Sequence, residues 1–306
     1  MTPLIAYEAI GFVLGLIFGS FLNVCISRLP QGKSVVHPRS RCPNCEAGIR
    51  WYDNIPVVSW LLLRGRCREC KQVIALHYPL VEIALGFWFM GQGAAIYTLI
   101  YFSKTHDLVS AVITHVGIAI LGFLLIGLML MDWQTRLLPD AFTLGGIAIA
   151  FLLTCTRAIF LAPNEDDVLL SSNHIQISSP GSSAGKGNVF LTGPERLLGE
   201  WLVAVCAAVV ILLVIRWAYQ ALRHREGMGL GDVKLLAMIA AFLGFWPAIL
   251  ALFLGVLTAC VYAIVLLARG KAGAATKLAF GSFLAVGGMV AAIYGERLIN
   301  AYRALL

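Results

Sequence analysis

Apolar residues in this chain gather in long unbroken runs, with neither the two-residue alternation of half-buried strands nor the narrow stripe of a surface helix. The runs cover approximately 5–27, 79–102, 108–132, 140–162, 197–222, 233–246, 247–268 and 278–302. A hydrocarbon core of about 30 Å takes roughly 20 apolar residues in a helix. Lipid offers the backbone no hydrogen bonds, so helices are the open-chain solution. The pattern predicts an all-α polytopic membrane protein with about eight transmembrane helices. One of them, 233–246, is short, and Gly244 and Pro247 separate it from the next. Fusing it with 247–268 would send Arg269, Lys271 and Lys277 to the outer side, against the usual charge bias. The first run follows the uncharged Met1-Thr2-Pro3 and carries Glu8, which argues for a retained span rather than a cleaved signal.

Composition agrees: 59% hydrophobic and 13% charged residues exclude a soluble globular chain. The net charge of +7 does not indicate nucleic acid, because the basic residues sit mainly in short loops between apolar runs and so report orientation in the bilayer. Residues 28–78 hold nine Lys/Arg against three acids (Glu46, Asp53 and Glu69). The positive-inside rule therefore puts them in the cytoplasm and the N-terminus outside, the topology of a multi-pass protein. Three parts follow: a first span at 1–27, a cytoplasmic domain at 28–78 and a transmembrane region at 79–306. An extracytoplasmic loop at 163–196, rich in Ser, Gly, Asn and acids, interrupts the last.

The cytoplasmic domain carries Cys42-Pro43-Asn44-Cys45 and Cys67-Arg68-Glu69-Cys70, two C-x-x-C pairs separated by the stretch 46–66. Four thiolates satisfy tetrahedral Zn²⁺, and Arg41, Arg66, Arg68 and Lys71 offset their charge. A domain this small and polar needs such a staple, so Cys42, Cys45, Cys67 and Cys70 are predicted to hold structural zinc. Two disulfides are the alternative, disfavoured in a reducing cytoplasm.

Two carboxylates stand at the ends of apolar runs: Asp132, closing the third, and Asp232, opening the sixth within Gly227-Met228-Gly229-Leu230-Gly231-Asp232-Val233-Lys234. Ionisable groups at membrane depth are costly and point to function. Alternation of the spans brings both to the cytoplasmic face. Asp232 has a bland reading as a helix N-cap. Asp132 has none, because a helix C-terminus disfavours an anion. Paired carboxyls can share a proton, one activating water and the other protonating a carbonyl or leaving amine, as in aspartic proteases. Gly229 and Gly231 would let an extended substrate backbone approach the acid. A proton-coupled transporter with a regulatory zinc domain is the rival, disfavoured because no internal repeat is seen and both acids lie near one face. A scaffold that only binds assembly partners is a third reading.

Taken together these stretches resemble the bacterial type IV prepilin peptidases, the G-x-G-D aspartic protease family. The resemblance rests on Gly19-Ser20-Phe21-Leu22-Asn23-Val24, Arg28-Leu29-Pro30, the two Cys pairs enclosing Asn54-Ile55-Pro56-Val57-Val58-Ser59-Trp60, and Tyr78-Pro79-Leu80-Val81-Glu82. It continues through Asp132, Leu138-Pro139-Asp140 and 226–235, spanning residues 11–146 and 224–290 in the family's order. It implies that Asp132 and Asp232 are the protease pair. It also implies cytoplasmic removal of a short basic leader from prepilins and pseudopilins of type IV pili and type II secretion. N-methylation of the new N-terminus by S-adenosylmethionine would follow, around residues 28–82 with Glu82 a candidate; a protease-only member is the alternative. Where the family commonly reads Pro-Phe-Gly-Pro-Phe, this chain has Ala279-Phe280-Gly281-Ser282-Phe283, and its outer loop is long.

Overall fold

The computed structural model describes residues 3–102, 108–160, 194–223, 229–270 and 278–304, and among them only helices, turns and two isolated β-bridges form. The helices are α1 (Pro3–Arg28), α2 (Val58–Leu62), α3 (His77–Phe102), α4 (Leu108–Thr135), α5 (Asp140–Phe160), α6 (Pro194–Arg223), α7 (Leu230–Leu243), α8 (Phe245–Ala268) and α9 (Phe280–Arg303). Seven of them are long and apolar enough to cross a membrane. The remaining apolar run, the sixth in order, is α7, with 14 residues. At about 1.5 Å per residue it is about 21 Å long. It tolerates this shortness because Val233 and Leu235 to Ala241 are all buried inside the protein, among α4, α5, α6, α8 and α9. Gly244, at φ +83°, then breaks the chain before α8, as the sequence suggested. The expected loop at 163–196 falls, except for its last three residues at the start of α6, outside the described residues.

Apolar burial between helices gains little in lipid, so close backbone packing through small residues takes its place. In α1, a β-carbon on Gly11 would lie 2.6 Å from the Phe89 carbonyl oxygen, and one on Gly19 would lie 2.6 Å from Glu82 Cα. Gly15 meets the Leu85 carbonyl closer still, and the glycine face of α1 runs along α3 as one tight pair. A second seam joins α8 to α9, where Gly255 sits against the Leu284 backbone and Gly287 against Ala251.

The apolar core lies between α4 and α7: Leu121, Leu125, Leu128, Met131, Leu235, Leu236, Met238 and Ile239 are fully buried there, with Leu284 of α9. Antiparallel crossings set which ends meet. Asn23, near the end of α1, donates to the Tyr78 carbonyl at the start of α3 at 3.0 Å. Trp88 of α3 donates to the Ile118 carbonyl of α4 at 3.0 Å. Lys234 in the first turn of α7 pairs with Asp140 at the start of α5 at 2.6 Å. The end of α4 and the starts of α5, α7 and α9 therefore share one side, and the segment between α1 and α3 lies on it too.

Candidate active site

Asp132 and Asp232 are both buried, and the fold brings them together although a hundred positions separate them. Asp132 lies in the last turn of α4, which stops at Thr135 because Arg136 takes the left-handed conformation at φ +56°. The sequence left this anion against an unfavourable helix terminus. The structure supplies the compensation from elsewhere, because the carboxylate faces the N-terminus of α9. There the Ser282 N–H donates to Asp132 Oδ2 at 2.7 Å, and the Ser282 hydroxyl lies 3.0 Å from the same oxygen. The hydroxyl is also 2.9 Å from the Met129 carbonyl, which ties α9 to α4.

Asp232 is not the residue that caps α7. Gly229 occupies that position, with extended backbone at φ −75° and ψ 153°, and Asp232 stands three residues on, inside the first turn. Its carboxylate turns back toward the helix start, where a β-carbon on Gly229 would lie 3.8 Å from Asp232 Oδ2. It also lies within electrostatic reach of Asp132. The two motif glycines differ in surroundings: Gly229 is exposed, whereas a β-carbon on Gly231 would come 3.0 Å from Leu138 Cδ1. Leu138 also stands against Gly281, whose own β-carbon would lie 3.0 Å from Asp132 Oδ2. Gly281, Ser282 and Leu138 thus complete a setting that the motif reading did not assign. The signal for Gly281 and Ser282 was the departure at 279–283, and Leu138 belonged to the Leu138-Pro139-Asp140 stretch.

The four cysteines of 28–78 also converge. Arg41 bridges Gly48 and Arg66 bridges Val73, so each C-x-x-C pair forms the same small loop. Glu46 at φ +57° and Lys71 at φ +58° make equivalent turns just after Cys45 and Cys70. All four sulfurs lie within 4.8 Å of one another, and Cys42 Sγ is 3.8 Å from Cys70 Sγ. Thiolates about 2.3 Å from a tetrahedral zinc stand about 3.8 Å apart, so the donor set fits that ion. All four thiols are free, with no disulfide between them. Backbone N–H groups of the loops aim at the sulfurs. The Gln72 N–H, then the Asn44 amide, bring Cys70 down to about 6, and the Cys45 and Asn44 N–H groups hold Cys42 below the usual thiol range. Cys45, although the Ala47 N–H favours its thiolate, is pushed up to about 11 by desolvation and by its sulfur neighbours. Gathered thiolates resist sharing this space without a cation between them. Arg68 braces the outside of the cluster through two bonds to Asp53, at 2.8 and 2.5 Å. His115 of α4 is a packed histidine whose Nδ1 lies 2.9 Å from Gln92 Oε1.

Comparison with known proteins covers both regions. Residues 13–96 match the family model described as Bacterial Peptidase A24 N-terminal domain, and residues 183–264 match that described as Type IV leader peptidase family. The chain is 36% identical over 274 residues to the prepilin leader peptidase/N-methyltransferase of Myxococcus xanthus (strain DK1622), covering 87% of this chain and 65% of that protein. It is 30% identical over 322 residues to the Pseudomonas putida protein of the same name, covering 96% of this chain and 93% of the relative. The Stutzerimonas stutzeri protein, again of that name, is 29% identical over 332 residues, with 99% and 98% covered. No solved structure matches.

Proposed function

We propose a function from one premise: the chain belongs to the type IV leader peptidase family. It is a bifunctional membrane enzyme that removes the leader peptide of type IV prepilins and pseudopilins and then N-methylates the new N-terminal residue. Asp132 and Asp232 are its catalytic pair. The observation that carries this reading is the meeting of two buried carboxylates at one end of the helical bundle. A proton-relay transporter would carry such acids toward mid-span. Here one occupies the last turn of its helix and the other the first.

In the reaction one carboxylate takes a proton from the attacking water while the other gives its proton to the carbonyl oxygen. As the gem-diol collapses, the first passes its proton to the leaving amine and the second recovers one from the gem-diol hydroxyl. Because the two are coupled, the shared proton belongs to the pair. Ser282 holds Asp132 in place, and the first turn of α7 places Asp232. Exposed Gly229 leaves room for the substrate backbone beside Asp232. Residues 1–27 are a first span, and the cysteine domain at 28–78 and both aspartates face the cytoplasm of the inner membrane. The 79–306 region carries the peptidase. Cys42, Cys45, Cys67 and Cys70 would hold Zn²⁺, a closed four-thiolate set that supplies folding energy and no open coordination position. S-adenosylmethionine supplies the methyl group.

The test is cleavage of a purified prepilin by the detergent-solubilised chain, with product mass read with and without S-adenosylmethionine. Wild type removes the leader and adds about fourteen mass units with the donor, whereas Asp132→Asn and Asp232→Asn leave the prepilin intact. Cleavage by both variants would return the transporter reading to first place.

A further inference from the structure

Methyl transfer shares no chemistry with peptide hydrolysis and calls for a site with room for a nucleoside-sized donor. Between the cysteine loops and the α1–α3 pair lies a cavity of about 530 Å³. That is the size class of pockets that bury a cofactor. Its lining is mixed, with Asn23, Trp60 and Tyr78 alongside Arg28 and Arg41. Glu82 also lines it, a buried carboxylate that the peptidase mechanism does not use.

Two features mark Glu82 as placed for chemistry rather than for packing. Its Oε2 accepts the Val57 N–H at 2.7 Å. Val57 makes that bond from φ +59°. This left-handed conformation is a true outlier for a β-branched residue and costs on the order of 1–3 kcal/mol. The chain between Asn54 and Ser59 is thus held in a strained shape whose visible result is an N–H aimed at this carboxylate. Opposite, Gly19 packs at 2.6 Å from a would-be β-carbon to Glu82 Cα, so α1 fixes the helix on which Glu82 stands. Ser20 of α1 lines the same cavity as the carboxylate. The second oxygen has no bond to a basic side chain among the described residues, although Arg28, Arg41, Arg50, Arg68 and His77 line the same cavity. An acid kept apart from neighbouring cations is free to meet a cation brought by a ligand.

We propose that this cavity is the methyl-transfer site and that Glu82 receives the N-terminal ammonium of the cleaved chain beside the sulfonium of the donor. The inference rests on the bifunctional reading above. The ammonium gives one proton to the Glu82 carboxylate. The freed amine lone pair attacks the donor's methyl carbon, forming the nitrogen–carbon bond as the carbon–sulfur bond breaks. The donor leaves as a neutral thioether, the product is a secondary ammonium, and the proton on Glu82 returns to solvent. The same negative charge attracts both the ammonium and the sulfonium before reaction, which adds binding to proton transfer.

The test uses the full chain in detergent, a prepilin substrate, and an already cleaved peptide with a free N-terminal Phe, with methyl-labelled S-adenosylmethionine as donor. Glu82→Gln is expected to cleave within about twofold of wild type and to methylate the free peptide at least 100-fold more slowly, with Glu82→Asp recovering part of the rate. Ala75→Trp, at an exposed lining position, should block methylation by filling the cavity while cleavage continues. Wild type that cleaves but never methylates sinks the bifunctional reading itself. Wild type that methylates, with Glu82→Gln equally fast, removes Glu82 from the reaction. If Glu82→Gln loses both activities through unfolding, Ala75→Trp decides: normal methylation by that variant overturns the cavity assignment.

Discussion

Gly281→Ala tests the position of Asp132 more finely than removing the carboxylate does. The new methyl would lie 3.0 Å from Asp132 Oδ2, 3.1 Å from Asp132 Cγ and 3.0 Å from Leu138 Cδ1, so a neighbour must give by a few tenths of an ångström. The end of Leu138 can rotate away. Asp132 Oδ2 cannot move without stretching its bonds to Ser282, at 2.7 and 3.0 Å. Overpacking of this kind costs about 1–3 kcal/mol, while Ala for Gly inside a helix returns about 1 kcal/mol. Stability should change by about 2 kcal/mol or less. Catalysis is less forgiving, since a displacement of about 1 Å can cost about a hundredfold. A smaller shift is expected to lower kcat/KM about 10- to 100-fold, or roughly 1.4 to 2.8 kcal/mol of transition-state stabilisation. The assay is cleavage of a prepilin peptide alongside thermal unfolding, with Gly91→Ala as control, since nothing lies within 4 Å of a β-carbon there. Full activity in a stably folded Gly281→Ala chain would refute the reasoning: the Asp132 position held by Ser282 would then not be the one used in catalysis.

Cys70→Ser should abolish stoichiometric zinc binding, read by elemental analysis of the purified chain, and open residues 28–78 to protease while the membrane helices stay intact. Gly15→Val should separate α1 from α3, since even a β-carbon would strike the Leu85 carbonyl; the expected outcome is loss of folded chain in detergent at moderate temperature. Arg68, first by its hydrogen bonds and then by its charge, holds the Asp53 carboxyl below the usual carboxylate range. A depressed folded-state value stabilises above the unfolded carboxylate pKa of about 3.9 and is lost as pH falls through the lower folded one. The gap in protease resistance between wild type and Asp53→Asn should therefore be constant above about pH 5 and shrink below about pH 4. A gap that widened on acidification would contradict the pairing. Lys234→Ala should change cleavage by no more than about twofold, because its 2.6 Å pair with Asp140 joins side chains that are 36% and 61% exposed. Such exposed pairs contribute about 0–1 kcal/mol.

What could be read from the sequence was what local pattern encodes. A charge at the end of an apolar run is conspicuous wherever it pairs, so Asp132 and Asp232 stood out singly. Each C-x-x-C pair folds its own loop, so the tetrad was visible from spacing. The break at Gly244 was visible because Gly and Pro punctuate helices without tertiary help. Ser282 was not visible as a partner of Asp132: a serine in an apolar helix is unremarkable, and the bond spans 150 positions. Val57 was equally silent, because a β-branched residue gives no hint of a positive φ, here part of a tight turn from Pro56 to Val58 that also aims its N–H at Glu82. The short seventh helix looked marginal from its length. Its enclosure by five others is a tertiary fact that no run length carries.

That enclosure also bears on how the pair is held. Asp232 moves only with α7, and α7 is packed on all sides by α4, α5, α6, α8 and α9, so its depth is set by protein contacts and not by lipid thickness. Asp132 sits on a 28-residue helix whose depth the bilayer can influence. α9 links the two halves: Ser282 bonds both the Asp132 carboxylate and the Met129 carbonyl of α4, and α9 also packs against α7. Ser282 in turn lies two residues from Leu284, whose backbone is pressed against Gly255 in the α8–α9 seam. The small residues of that seam therefore do more than close a helix pair. They fix the depth of the α9 N-terminus, and through it the carboxylate on which the α4 half of the site depends.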